Sequence, residues 1–117
     1  MVYGDRFEWE NYIGMLAKRY PKCFFEVPQE RLPLKKGIEN ALAQDMDLAP
    51  TSSQLVTMGD SLNWYRSHIA YRYCLKAGAE RVDLAGNRCE KVTAQEEREA
   101  KKEIARISPR VSNTTER

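Results

Sequence analysis

The residues able to do chemistry in this chain are few and scattered along its 117 positions. The single histidine, His68, falls within a helical pattern, with Ser61 and Ser67 close in sequence. Hydrolysis through an activated nucleophile needs a nucleophile, a base and a group that orients the base, and this spacing does not provide that order. The cysteines Cys23, Cys74 and Cys89 contain no C-x-x-C pair, and on a helix His68 and Cys74 project about 120° apart, so no metal-ligand set is expected. Cys23 and Cys74 read instead as small core hydrophobes. The six glycines fit neither G-x-x-x-x-G-K nor G-x-G-x-x-G, which leaves nucleotide hydrolysis without a phosphate loop. The expectation is a protein that is no enzyme and uses no cofactor, metal or small-molecule substrate.

What remains is a set of cations interleaved with aromatic residues: Lys35, Lys36, Arg66, Tyr71, Arg72, Tyr73, Lys76, Arg81, Arg88 and Lys91. Lysine and arginine pair with phosphate, and arginine adds a bidentate fork. Tyrosine offers a ring for stacking on bases and a hydroxyl for hydrogen bonding. The plainer reading of the same residues is a solvated helix face, with Tyr65 and Tyr73 equally suited to a core.

Charge does not choose between these readings. Nineteen Lys and Arg oppose 17 Asp and Glu, a formal net charge of +2, so a nucleic-acid site must be a local patch on one face. Residues 31–91 carry nine basic and seven acidic groups, the largest surplus along the chain. An odd cysteine count without a secretory leader argues against a disulfide framework and for a reducing cytoplasm. No apolar run approaches the roughly 20 residues of a membrane-spanning helix.

The elements that must position these residues follow from periodicity and punctuation. Phe7, Trp9, Tyr12, Ile13, Leu16, Ala17 and Tyr20 recur at helical spacing over 5–20, and Pro21 ends the run. An extended stretch follows through Cys23, Phe24, Phe25 and Val27. Lys35–Gln44 suits a short helix with Leu34, Ile38, Ala41 and Leu42 inward and Gly37 unusually early. Residues 45–60, rich in turn formers, predict a loop with at most one helical turn.

A third helix is predicted from Asp60 or Ser61 to about Ala77, capped by Gly78. It would carry two stripes, Leu62, Tyr65, Ile69, Tyr73 and Trp64, His68, Tyr71, Leu75. Alternation around Gly86-Asn87 predicts a β-hairpin over 81–89, and Thr93 with Glu96 forms a capping box that opens a last helix to about Ile107. The predicted fold is mainly α with a short β-hairpin, one domain over residues 5–107, with 108–117 a flexible tail.

Four segments, in order, carry a resemblance. They are Tyr12-Ile13-Gly14-Met15-Leu16-Ala17-Lys18-Arg19-Tyr20-Pro21-Lys22-Cys23-Phe24; Leu32-Pro33-Leu34-Lys35-Lys36-Gly37-Ile38; Leu62-Asn63-Trp64-Tyr65-Arg66-Ser67 leading to Tyr71; and Gly78-Ala79-Glu80-Arg81-Val82-Asp83-Leu84-Ala85-Gly86-Asn87. The second is similar to R-P-L-K-x-G-I, the third to A-L-R-x-Y-T-x-S followed by an arginine-tyrosine pair, and the fourth to G-A-x-R-x-D-L-D-G-N. Together, over roughly residues 12–104, they resemble the ProQ/FinO family of bacterial RNA-binding proteins.

The resemblance implies a compact ProQ/FinO-like domain, an RNA chaperone that recognises the base of a stem-loop and its single-stranded 3′ end. It would act, as a monomer, on terminator hairpins of small RNAs and messengers in post-transcriptional regulation. Carried over residue by residue, it implies RNA contacts by Lys35, Tyr71 and Arg81, with Gly37 allowing close approach of the chain. Lys36, Tyr65, Arg66, Arg72 and Lys76 complete the candidate RNA-binding set. Leu32, Asn63 and Ala70 stand where the family often has arginine, so three phosphate contacts are expected to be missing, and Lys36, Arg66 and Arg72 are the cations that could shift the patch along the third helix. A second reading of the same residues is a protein-interaction domain of this fold, with weakened RNA binding, whose cationic stripe meets an acidic protein.

Overall fold

The first helix, α1 (Arg6–Arg19), begins where Asp5 accepts the Glu8 amide at 3.0 Å through its side chain. Lys18 and Arg19 in its last turn suit the negative end of the helix dipole. The computed structural model describes residues 5–107, so the tail expected at 108–117 lies outside the described residues. Ile13 and Leu16 bury one face of α1, while Phe7, which shares the apolar periodicity, stands 73% exposed. Beyond Pro21 the chain delivers Cys23 and Phe24 to the core and makes a short 3-10 turn at Pro28–Glu30.

The second helix, α2 (Ile38–Asp45), starts later than the periodicity predicts. The Lys35 amide is taken by the Val82 carbonyl at 2.9 Å and the Lys36 amide by Oε1 of Glu90 at 2.8 Å, and Gly37 caps the helix with φ of 74°. Only glycine adopts that left-handed conformation without cost, which explains a glycine at this point. Ile38 and Leu42 then face the core, and the Tyr20 hydroxyl donates to Asp45 at 2.5 Å, tying the end of α1 to the end of α2.

The largest departure concerns the predicted third helix. Helix α3 (Ser53–Ser67) begins with Ser52 as N-cap and occupies most of the stretch expected to be a loop. The apolar stripe Leu55, Met58, Leu62, Tyr65 extends backwards through Gly59, and packing against α1 outweighs the roughly 1 kcal/mol that a mid-helix glycine costs. The helix then stops short of Ala77. His68 is extended, with ψ of 138°, and its Nδ1 accepts the Ala70 amide at 3.0 Å to start a new short helix, α4 (Ile69–Tyr73).

This break decides the core. On an unbroken helix Tyr65 and Tyr71 would project about 120° apart. Across the His68 corner they converge, with ring centroids 5.9 Å apart. Tyr20, Phe24, Tyr65 and Tyr71 form one continuous run of edge-on and tilted rings, each such pair adding about 0.5–1.5 kcal/mol beyond its area. The two stripes read from sequence are thus cut and recombined: Tyr65 and Tyr71, assigned to different stripes, share the core, and Tyr73 is exposed.

The hairpin pairs β1 (Glu80–Val82) with β2 (Arg88–Lys91), antiparallel, with Glu80 opposite Lys91 and Val82 opposite Arg88. Its turn is longer than a two-residue Gly-Asn connection. Oδ1 of Asp83 accepts the amides of Ala85 and Asn87 at 3.0 and 2.8 Å, and Gly86 (φ 84°) lies so close to Lys22 that a Cβ there would sit 2.5 Å from the lysine Cβ. Leu34 bridges Val82 in parallel, so the segment before α2 lies against the hairpin as a third extended stretch. Helix α5 (Ala94–Ile107) opens on the Thr93–Glu96 capping box and packs on α4 through a face that includes Ala100 and Ile104.

Candidate nucleic-acid interface

Lys35, Lys36 and Gly37 form an exposed turn. It stands between β1 and the start of α2, and it edges an open depression of about 660 Å³ lined also by Asn40, Gln44 and Asp47. No carboxylate pairs with the Lys35 ammonium among the described residues. Lys76 is likewise exposed and without an ion pair there.

Two of the strongest sequence candidates lie beneath this turn rather than on it. Tyr71 is 3% exposed, and its hydroxyl accepts the Leu34 amide at 3.0 Å. Burial raises its pKa, so the phenol stays neutral. Arg81 is 7% exposed: Nη1 donates to the Leu34 carbonyl at 2.8 Å, and Nη2 lies 3.2 Å from Oε1 of Glu96. Both side chains therefore hold the main chain of Leu34, one at its N–H and one at its C=O.

Tyr65 requires a correction. It is fully buried, its hydroxyl accepts the Phe25 amide at 3.1 Å, and its ring lies under the guanidinium of Arg31, 4.0 Å from the ring centroid. A side chain so enclosed has no ring face to offer a base, and its role is to fill the core and satisfy a backbone donor. Arg66 is half-buried and paired with Glu39 at 2.6 Å. Arg72 is half-buried, with a buried Nε that has no partner among the described residues, and lies near enough to Glu103 of α5 to help hold that carboxyl below its usual range, a task led by Arg106.

The residues that sequence reasoning missed are carboxylates. Glu96 pairs with both Lys36 and Arg81, and its carboxyl is lowered to about 2, first by the Lys36 ammonium, then by the Thr93 amide and Arg81. Its place in the capping box was legible; the cations it faces come from two other segments. Elsewhere, the His68 ring serves as a helix cap, the Ser67 hydroxyl donates to the Trp64 carbonyl at 2.8 Å, and Ser61 is buried in the core. Among the described residues no group of three or more His, Cys, Asp or Glu gathers as a metal site. Cys23 is buried and its thiol is pushed up to about 12, chiefly by desolvation.

Residues 8–117 match the model of the ProQ/FINO family. The chain belongs to the ProQ/FinO family. Its fold is similar to the NMR solution structure of a ProQ homolog from Legionella pneumophila, with a TM-score of 0.74, 24% identity, and coverage of 91% of this chain and 88% of that one. RNA binding with RNA chaperoning is the function at the level of the family, which is not one of enzymes. No helix among the described residues is long and apolar enough to cross a membrane.

The three positions that depart from the ProQ/FinO motifs have separate structural fates. Leu32 packs half-buried against the core, while the neighbouring Arg31, 5% exposed, donates to the carbonyls of Phe25, Tyr65 and Glu26 at 3.0 to 3.2 Å. Arg31 is thus committed to main-chain acceptors. Asn63 is exposed, with Oδ1 3.4 Å from Nη2 of Arg66, and Ala70 supplies the amide that His68 caps.

Proposed function

We propose that this ProQ/FinO protein grips the base of an RNA stem-loop and its single-stranded 3′ end, with the Lys35–Gly37 turn as the centre of the contact. It does so as a monomer in the cytoplasm, acting on terminator-like ends of small RNAs and messengers in post-transcriptional regulation. The observation that carries this reading is the Lys35-Lys36-Gly37 turn: two exposed ammonium groups beside a glycine whose bare backbone admits a phosphate closely, at the rim of an open depression. Lys35 and Lys36 neutralise phosphates. Lys76 and the half-buried Arg66 and Arg72 extend the cationic surface, while Tyr71 and Arg81 act on RNA through the turn they support.

The test is a titration of the protein against a hairpin with a U-rich single-stranded 3′ tail and against the same hairpin without it, at two salt concentrations. Tail-dependent binding whose log affinity falls linearly with log salt is expected. Micromolar or weaker association that ignores the tail would overturn the reading and favour a protein-interaction domain of the same fold, since generic cation attraction gives no more than that.

A further inference from the structure

Two cations at or beneath the proposed RNA contact, Lys36 and Arg81, are already answered from within the chain. Oε1 of Glu96 accepts the Thr93 amide at 2.9 Å and lies 3.2 Å from Nη2 of Arg81, and Oε2 pairs with Nζ of Lys36. A carboxylate whose two oxygens divide between two cations does what two oxygens of a phosphate would do. Exposure is unequal across this cluster: the Lys36 side chain is 61% exposed and that of Glu96 only 19%. A phosphate arriving from solvent therefore meets an ammonium that is accessible but already matched, and the competing carboxylate sits behind it, anchored by a helix cap.

We infer that Glu96 sets the affinity of this chain for RNA by acting as an internal substitute for a phosphate at Lys36 and Arg81, an inference that rests on the RNA-binding reading of the Lys35–Gly37 turn. Binding at Lys36 requires the ammonium to leave Glu96, so that lysine contributes less than its exposure suggests. Lys35, which has no such partner among the described residues, contributes in full.

Glu96→Gln separates charge from structure. Glutamine serves a capping box as well as glutamate does, so the amide oxygen still accepts from Thr93 while the negative charge is gone. Glu8→Gln, at an exposed position of α1, a helix that makes no contact with α5, makes the same change in net charge away from the cluster. With the tailed hairpin as probe, Glu96→Gln is expected to bind about tenfold more tightly at low salt and to steepen the log-log salt slope by about one. Glu8→Gln should stay within about twofold of the parent at about 0.15 M salt, where exposed charges more than about 8 Å apart are largely screened.

A second comparison does not depend on how Glu96→Gln folds: Lys36→Met should weaken binding much less than Lys35→Met. The inference is overturned if the parent binds the hairpin and Glu96→Gln matches Glu8→Gln in affinity and slope, or if Lys36→Met costs as much as Lys35→Met. Absence of hairpin binding by parent and variants alike defeats the RNA-binding reading itself, and the inference with it.

Discussion

The hydroxyl of Tyr71 accepts the main-chain N–H of Leu34 at 3.0 Å, at a point where both groups are buried. The Leu34 carbonyl is held at the same time by Arg81 at 2.8 Å. The strand leading to the Lys35–Gly37 turn is thus clamped from below on both of its polar groups, one residue before the first exposed lysine.

Tyr71→Phe keeps the ring in the aromatic run and removes only the acceptor. A buried amide left without a partner costs about 1–3 kcal/mol, and each kcal/mol lowers Tm by about 4–8 °C in a domain of this size. A thermal melt followed by circular dichroism should show that drop. An unchanged Tm would mean that the Leu34 amide finds another acceptor.

Lys35→Ala and Arg81→Ala are expected to differ in kind. Lys35→Ala leaves the free energy of unfolding within about 1 kcal/mol of the parent, weakens hairpin binding and lowers the log-log salt slope by about one. Arg81→Ala leaves the Leu34 carbonyl and the Glu96 carboxylate short of a partner, so it lowers Tm as well as affinity. Melting curves and salt titrations on both variants distinguish a surface contact from a support.

Arg66→Ala and Arg72→Ala probe how far the cationic surface runs along α3 and α4. Each should weaken hairpin binding clearly, with Arg66→Ala also freeing Glu39 from its partner. If neither changes affinity while Lys35→Ala does, the surface ends at the turn. Circular dichroism on each variant establishes that the fold is intact before binding is compared.

Acid sensitivity should report on Glu96. Its carboxyl is depressed to about 2 in the folded chain, against about 4.3 for an unperturbed glutamate, so the folded state favours the ionised form. Its contribution to stability is therefore complete above the unfolded value and is lost as pH falls from about 5 towards 2. The Tm of the parent should exceed that of Glu96→Gln near pH 6, and the gap should narrow steadily down to pH 3. A constant gap over that range would remove the ion pairs as its cause.

Local signals were readable where a single segment contains both partners of an interaction. Asp5 capping α1, Pro21 ending its apolar run, the Thr93–Glu96 box and the turn around Gly86 each depend on neighbours in sequence. The start of α3 at Ser53 was masked by turn-forming residues and Gly59, although Ser52 offered a cap and Leu55 and Met58 continued the stripe. The break at His68 had no comparable local mark, because a histidine is seldom a helix cap and the advantage of bending there is the meeting of Tyr65 with Tyr71.

What the sequence determined by itself was the class of the molecule: a mainly helical chain with one hairpin, and four ordered motifs that place it among ProQ/FinO proteins. Which motif residues face solvent was a tertiary decision. Tyr71 and Arg81 share the chemistry of RNA ligands with Lys35, but the Leu34 backbone takes the Tyr71 hydroxyl and one arm of Arg81. Glu96 likewise reads as a helix cap until folding brings Lys36 and Arg81 to it from two other segments. A side chain's chemistry is written in its type, whereas its availability depends on which donors and acceptors the fold brings within about 3 Å of it, and those partners lie tens of residues away along the chain.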